Sequence, residues 1–132
     1  MAIKHTYRAL ERERKRRGEW ADCTVRALAV ACGVPYATAH RAMREAGRKP
    51  KQGALQEEVV QALGSLGYLV FDVRGYFKGR TVRTLERELP PVPMILDMAG
   101  HLAAWDGRRI VDHAAGECRR VREIWVLVKV TK

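Results

Sequence analysis

The chain has 132 residues, of which 47% are hydrophobic, and a formal net charge of +10. This length allows one domain with a substantial core but not two. A run of about 18 apolar residues is missing, which excludes a transmembrane helix, and the start of the chain lacks the apolar segment of a secretory signal. Three cysteines without a CxxC motif favour a reducing compartment. We therefore expect a globular cytoplasmic protein that needs no metal or other cofactor.

The first predicted helix covers residues 6–17, and its apolar face is thin because Tyr7 and Leu10 contribute most of it. We interpret residues 1–17 as a basic helical arm that lies outside any catalytic site. Residues 18–132 are then a single domain.

Much of the positive charge lies in two segments of the chain. Lys4 to Arg17 has seven basic and two acidic residues, and Arg41 to Lys51 has five basic and one acidic. Such clusters bind the phosphates of nucleic acids, but they also occur as solvated helix faces, and both interpretations stay open. The candidates for binding nucleic acid or another acidic partner are Arg12, Arg14, Lys15, Arg16, Arg17, Arg48, Lys49 and Lys51.

Three further helices are predicted before most of the strands. Apolar residues at i, i+3, i+4 and i+7 predict a core helix from Cys23 to Cys32, which ends at Gly33. The next helix begins after Pro35 and stops at Gly47. The last has inward-facing residues from Leu55 to Leu66.

The second half of the chain has the composition of strands. Strands are predicted at Tyr68 to Val73, Met94 to Ala99, His101 to Trp105, Arg109 to Asp112 and Val121 to Val130, with a short amphipathic helix at Thr81 to Leu89. As an alternative, residues 94–105 form one strand bent at Gly100. Helices followed by an antiparallel sheet define an α+β fold, with the N-terminal helices packed on the C-terminal sheet.

One cysteine and one histidine occupy positions that a thiol enzyme needs. Cys23 lies at the predicted N-terminus of the core helix, where the helix dipole stabilises a thiolate. A type I′ turn at Asp106-Gly107 gives a register in which paired residue numbers sum to 213, so that His101 faces Asp112. A histidine that is held by a carboxylate and lies near a thiol is a catalytic arrangement.

Several neighbours of these residues have more than one interpretation. If the register differs, Asp97 and Asp106 are the alternative carboxylates, and Asp106 also suits a turn. Asp22 disfavours a thiolate at the next residue unless its carboxylate caps the helix. Trp20 and Asp22 are candidates for the surroundings of the thiol, including the oxyanion site, although core packing is the more ordinary role for Trp20 and Trp105.

The run Asp-Cys-x-x-Arg-Ala-Leu-Ala at residues 22–29, together with the Gly-His…Asp-Gly…Asp pattern of the predicted hairpin, resembles a known family. It is similar to the compact cysteine-peptidase-like proteins of phages and bacterial mobile elements, which have the papain-like cysteine peptidase fold. The resemblance covers residues 18–130. It implies Cys23 as the nucleophile, His101 as general base and acid, and Asp112 as the group that orients the imidazole.

The resemblance implies a small cysteine hydrolase, and we expect a peptidase that forms a thioacyl-enzyme on a peptide or protein substrate. The alternative is a catalytically vestigial protein of the same fold that binds host protein or nucleic acid, or a virion component. Many relatives place Gln or Asn shortly before the nucleophile to bind the oxyanion, whereas residues 17–22 contain neither, and this favours the alternative. The presence of Cys, His and Asp together favours the enzyme.

Overall fold

The computed structural model describes residues 3–73, 81, 87–98, 101–111 and 121–130. The helices are α1 (Tyr7–Arg17), α2 (Cys23–Cys32), α3 (Tyr36–Glu45) and α4 (Gln56–Ser65). The strands are β1 (Tyr68–Asp72), β2 (Met94–Met98), β3 (His101–Trp105), β4 (Ile110–Val111) and β5 (Glu123–Lys129). The strand order is β1-β5-β2-β3-β4, and all neighbours are antiparallel. The predicted α+β class is confirmed.

The ends of the first two helices follow from local sequence signals. The Oγ1 of Thr6 accepts a hydrogen bond from the N–H of Ala9 at 3.2 Å, which is an ordinary N-cap for α1. Gly18 and Gly33 end α1 and α2 with φ angles of 64° and 63°, in the left-handed region that glycine adopts without strain. The predicted boundaries of α1 and α2 are therefore confirmed.

The core lies on both faces of the sheet. On one face, α2 packs against β3 with all its residues buried from Thr24 to Cys32, and Leu10 of α1 belongs to the same apolar cluster. On the other face, a second cluster forms around Met94, Leu96 and Trp105. α2 is thus held between α1, α3 and the sheet, so its N-terminus has a fixed place against β3. Among the described residues, no helix has both the length and the apolar character needed to cross a bilayer.

Leu55 is not a core residue, although the sequence analysis assigned it to the inward face of α4. Leu55 is 62% exposed, because it is the N-cap residue before α4 and does not belong to the apolar face of the helix. Its backbone N–H donates to Glu58 Oε1 at 2.8 Å. Val59, Ala62 and Leu63 are buried as expected.

The two hairpins of the C-terminal half have different outcomes. β2 and β3 are separate strands that pair with Met98 opposite His101, so the predicted strands are confirmed and the alternative of one bent strand is wrong. In the second hairpin, Trp105 pairs with Ile110, so paired residue numbers sum to 215 rather than 213. The predicted pairing of residues 101 and 112 does not belong to this register.

The turn between β3 and β4 explains the different register. The carboxylate of Asp106 accepts hydrogen bonds from the N–H groups of Arg108 and Arg109, both at 2.9 Å. Asp106 is therefore the first residue of the turn rather than one of its two central residues. Of the central pair, only Gly107 has a positive φ, at 101°, whereas a type I′ turn needs two. The helix predicted at Thr81 to Leu89 falls largely on residues 82–86, outside the described part of the chain.

Candidate functional site

The N-terminus of α2 meets the first residue of β3, and this contact brings the predicted thiol and imidazole together. The thiol of Cys23 is hydrogen-bonded to the side chain of His101 and to the backbone N–H of Leu102. Both Cys23 and His101 are partly exposed. A thiol in contact with an imidazole and open to solvent has the geometry of an activated nucleophile.

The surroundings of Cys23 change its acidity. Burial raises the pKa of the thiol, but the hydrogen bonds from His101 and Leu102 and the charge of His101 outweigh it, so the pKa lies below its ordinary value. Asp22 opposes this change through its negative charge. Cys32 is the opposite case, because burial in the apolar cluster raises its pKa to about 12. Only one of these two thiols is suited to react near neutral pH.

Two hollows open on either side of the Cys23–His101 pair. The wider cleft has a volume of about 500 Å³ and lies towards α1, where Tyr7, Glu11 and Trp20 line it. The smaller cavity has a volume of about 220 Å³ and lies towards α4. Cys23, Gly53 and His101 line both hollows. An extended peptide that occupied both hollows would therefore pass the thiol of Cys23. The expectation that α1 lies outside the site is therefore wrong.

Asp22 does not cap α2, so the condition under which it would not disfavour the thiolate is not met by capping. Its side chain makes no capping hydrogen bond, and Oδ2 instead accepts from Tyr36 Oη at 2.7 Å and from Arg26 Nε at 3.2 Å. Arg26 also contacts the carboxylate of Glu11, so two ion pairs and the Tyr36 hydrogen bond join α1, α2 and α3. The side chain of Asp22 therefore does not occupy the N–H groups in the first turn of α2, which lie next to the thiol.

The loop before Cys23 is held by a buried carboxylate that the sequence analysis did not identify. Glu19 is 2% exposed and receives Arg48 at 3.1 and 3.2 Å and the backbone N–H of Lys51 at 2.8 Å. Its Oε2 also lies 2.6 Å from His40 Nε2. Burial opposes ionisation, but these hydrogen bonds dominate and lower the pKa of Glu19 to about 2. Glu19 therefore ties the loop at residues 18–22 to the loop that carries Gly53.

The backbone of the loop at residues 18–22 is strained at Ala21, which also indicates that the loop is held in place. Ala21 has a φ of 48°, a left-handed conformation that residues other than glycine, Asn and Asp rarely adopt. Such a residue persists where the surroundings over-determine the backbone, and it is common near functional sites. The contacts of Glu19 hold this backbone, and Ala21 lies two residues before the start of α2 at Cys23.

The tryptophans divide between the two roles considered for them. Trp105 is 3% exposed in the second core cluster, and its Nε1 donates to the carbonyl of Pro90 at 2.8 Å. Trp20 is 61% exposed, so the expectation of core packing for it is wrong. Its ring lies 5.3 Å from the guanidinium of Arg14 and forms part of the wall of the wider cleft.

The predicted basic residues do not form one surface. Arg48 is buried with Glu19, and Arg14 pairs with Glu11 at 2.9 Å and donates to the carbonyl of Glu19 at 3.0 Å. These two arginines are engaged inside the fold rather than presented to a partner. The exposed members of the set are Arg12, Lys15, Arg16, Arg17, Lys49 and Lys51.

The three predicted carboxylate partners of His101 have different outcomes. Asp112 lies outside the described residues, so its role stays a prediction. Asp106 caps the β3–β4 turn, as its alternative interpretation suggested. Asp97 lines the smaller cavity together with Cys23 and His101. Gln56 at the start of α4 lines it too, and the sequence analysis missed Gln56 because it belongs to an element distant in sequence from Cys23 and His101.

Comparisons with protein-family models, with curated proteins and with solved structures find no significant match for this chain. The fold and the site therefore define the class at a coarse level: an α+β protein with a thiol–imidazole pair at a helix N-terminus.

Proposed function

We propose that this protein is a small cysteine hydrolase of papain-like architecture, and that it acts as a peptidase through a thioacyl-enzyme. The single observation that supports this most is the hydrogen bond between the Cys23 thiol and His101 at the junction of two hollows. A structural cysteine has no need of an imidazole partner or of access from two sides.

The proposed reaction begins when His101 takes the proton of the Cys23 thiol. The thiolate attacks the carbonyl carbon of a peptide bond, and an S–C bond forms as the carbonyl oxygen takes the negative charge. His101 then gives its proton to the amide nitrogen, the C–N bond breaks and the amine leaves. A water molecule, deprotonated by His101, attacks the thioester, the S–C bond breaks, and the acid is released with the thiol restored.

The oxyanion needs donors close to Cys23. Backbone N–H groups in the first turn of a helix lack intrahelical partners, and in α2 the side chain of Asp22 does not occupy them. Preorganised N–H donors at such a position stabilise the tetrahedral intermediate. Gln56 adds a carboxamide to the wall of the cavity, although no Gln or Asn precedes the thiol in residues 17–22.

The second candidate function is a catalytically vestigial protein of the same fold that binds an acidic protein or nucleic acid. The exposed basic residues of α1 favour it, together with the absence of Gln and Asn from residues 17–22. Phage or mobile-element origin and virion association belong to both proposals as expectations from the resemblance, and cytoplasmic location belongs to both as an expectation from the sequence.

Alkylation by iodoacetamide distinguishes the two proposals. At pH 6.5 an ordinary thiol of pKa near 8.5 is only about 1% ionised, so an activated Cys23 reacts first and Cys32 last. His101→Ala lowers the rate at Cys23 by roughly tenfold or more and leaves the far-UV circular dichroism unchanged. With a cleavable peptide, mass spectrometry then detects the thioacyl adduct on Cys23. Equal rates at the cysteines, or a rate at Cys23 that ignores His101→Ala, would contradict the hydrolase.

A further inference from the structure

The smaller cavity beside the thiol has the size of a single side chain. Its volume is about 220 Å³, whereas pockets that hold drug-sized ligands have roughly 300 to 1,000 Å³. Apolar atoms of Val59, Leu102 and Trp125 line its walls. Such walls suit the stem of a long side chain.

A carboxylate gives this cavity a polar end. Asp97 lines it, and its carboxylate has no hydrogen-bond or ion-pair partner among the described residues. Burial raises the pKa of Asp97, Arg122 lowers it through its charge, and Asp72 raises it again. A half-buried carboxylate that forms no ion pair is stabilised when a cation enters beside it.

A second, independent feature also points to a ligand in the cavity. Thr24 lines it and is only 4% exposed, yet its Oγ1 has no hydrogen-bond partner in the described part of the protein. A buried hydroxyl without a partner costs free energy comparable to a lost hydrogen bond. A polar group that enters from the site would satisfy it.

The local charge differs in sign from that of the whole protein. Asp97 pairs with Glu123 across β2 and β5, and Asp72 pairs with Trp125 across β1 and β5. Because side chains alternate along strands, Asp72, Asp97 and Glu123 share the sheet face that packs against the helices. This end of the sheet therefore carries three carboxylates beside the single cation Arg122 among the described groups that act on Asp97, in a protein of net charge +10.

We propose that the cavity is the subsite for a basic side chain of the substrate, lysine or arginine, whose stem packs on Leu102 and Trp125 and whose charged head meets Asp97. This inference rests on the proposed hydrolase function and adds the substrate class. The aliphatic stem of such a side chain buries well against apolar walls while its head stays near a polar partner.

The test uses internally quenched peptides with an alanine background, in which a single lysine is moved through every position. Matched peptides carry norleucine, which has the stem without the charge, or glutamate. We expect kcat/KM for the best lysine peptide to exceed that of its norleucine match by roughly tenfold, since hydrogen bonds to charged groups have about this effect. Asp97→Asn removes this preference, so that the lysine and norleucine peptides are cleaved by the variant with kcat/KM values within about twofold of each other.

Each other outcome overturns a defined part of the inference. Equal cleavage of lysine and norleucine peptides, a preference for glutamate, or a lysine preference that survives Asp97→Asn refutes the subsite and leaves the hydrolase intact. Slower iodoacetamide labelling of Cys23 in Asp97→Asn would show that Asp97 acts on the thiol–imidazole pair instead. No cleavage of any peptide, with unselective labelling, refutes the hydrolase itself. Glu57→Gln, at an exposed position outside the cavity, is the matched control.

Discussion

Removing the charge of Glu19 tests whether its buried network holds the loop before the thiol. Glu19→Gln keeps the shape of the side chain but leaves the Arg48 guanidinium, buried beside it, without a counter-charge. The pKa of Glu19 is about 2 in the folded protein against 4.5 for an ordinary glutamate. At 1.36 kcal/mol for each pH unit, this difference corresponds to on the order of 3 kcal/mol of stability. The loss of one partner from a buried pair costs about 3 to 5 kcal/mol, which agrees.

The sign of the pH dependence follows from the lowered pKa. Glu19 stabilises the folded protein fully above about pH 4.5, and the contribution is lost as the pH falls through about 2. The difference between wild type and Glu19→Gln is therefore largest at pH 7 and falls to less than half of that value by about pH 3.

Urea unfolding followed by circular dichroism at pH 7 and pH 3 measures both quantities. Glu45→Gln changes an exposed carboxylate at the end of α3 and is the control, with an expected effect within about 0.5 kcal/mol. A loss below about 1 kcal/mol for Glu19→Gln at pH 7, or a loss that is the same at both pH values, would refute the reasoning.

Two further predictions concern the surface and a glycine. If the exposed residues of α1 bind nucleic acid, replacing Arg12, Lys15 and Arg17 with Gln lowers the slope of log K against log salt by roughly 0.9 for each duplex DNA phosphate that the variant no longer neutralises. The control pair is Arg108→Gln with Arg109→Gln, and no binding by wild type at about 50 mM salt would refute the interface. Gly47→Ala destabilises by roughly 1 to 3 kcal/mol in thermal unfolding, because φ is 116° and a Cβ would lie 2.6 Å from Glu58 Oε2. Gly64→Ala in α4 has open space and stabilises by roughly 0.5 to 1 kcal/mol, so equal effects of the two changes would contradict this account.

The helices could be predicted from the sequence because their signals are local. The apolar period of α2 and Gly33 at its C-terminal end are local signals that predict where this helix begins and ends. The same signals place Cys23 at the first position of α2. The register of the β3–β4 hairpin could not be predicted because it depends on the position of Asp106 in the turn. Asp106 is the first residue of the turn, where its carboxylate accepts hydrogen bonds from the N–H groups of Arg108 and Arg109.

The charged residues behind the site could not be assigned from the sequence. Glu19 and Arg48 are 29 positions apart, and each resembles a solvated charge in its own segment. Arg26 gave the one usable signal, because a charge within the apolar run of α2 has to be paired when that helix is buried. Asp97 likewise resembles the polar position of an alternating strand until the cavity shows which groups surround it.

The position of Arg26 also explains why an aspartate can precede the thiol. An aspartate at an N-cap normally accepts hydrogen bonds from the first-turn N–H groups of its helix, and these are the groups that an oxyanion would need. Arg26 lies four residues after Asp22 on the same face of α2 and, with Tyr36, draws that carboxylate away from the helix end. The pairing also places a positive guanidinium beside Asp22, whose negative charge still raises the pKa of the Cys23 thiol. The Asp-Cys-x-x-Arg spacing therefore has a physical consequence: it keeps the Asp22 side chain away from the first-turn N–H groups of α2 and pairs the negative charge next to the thiol with a cation.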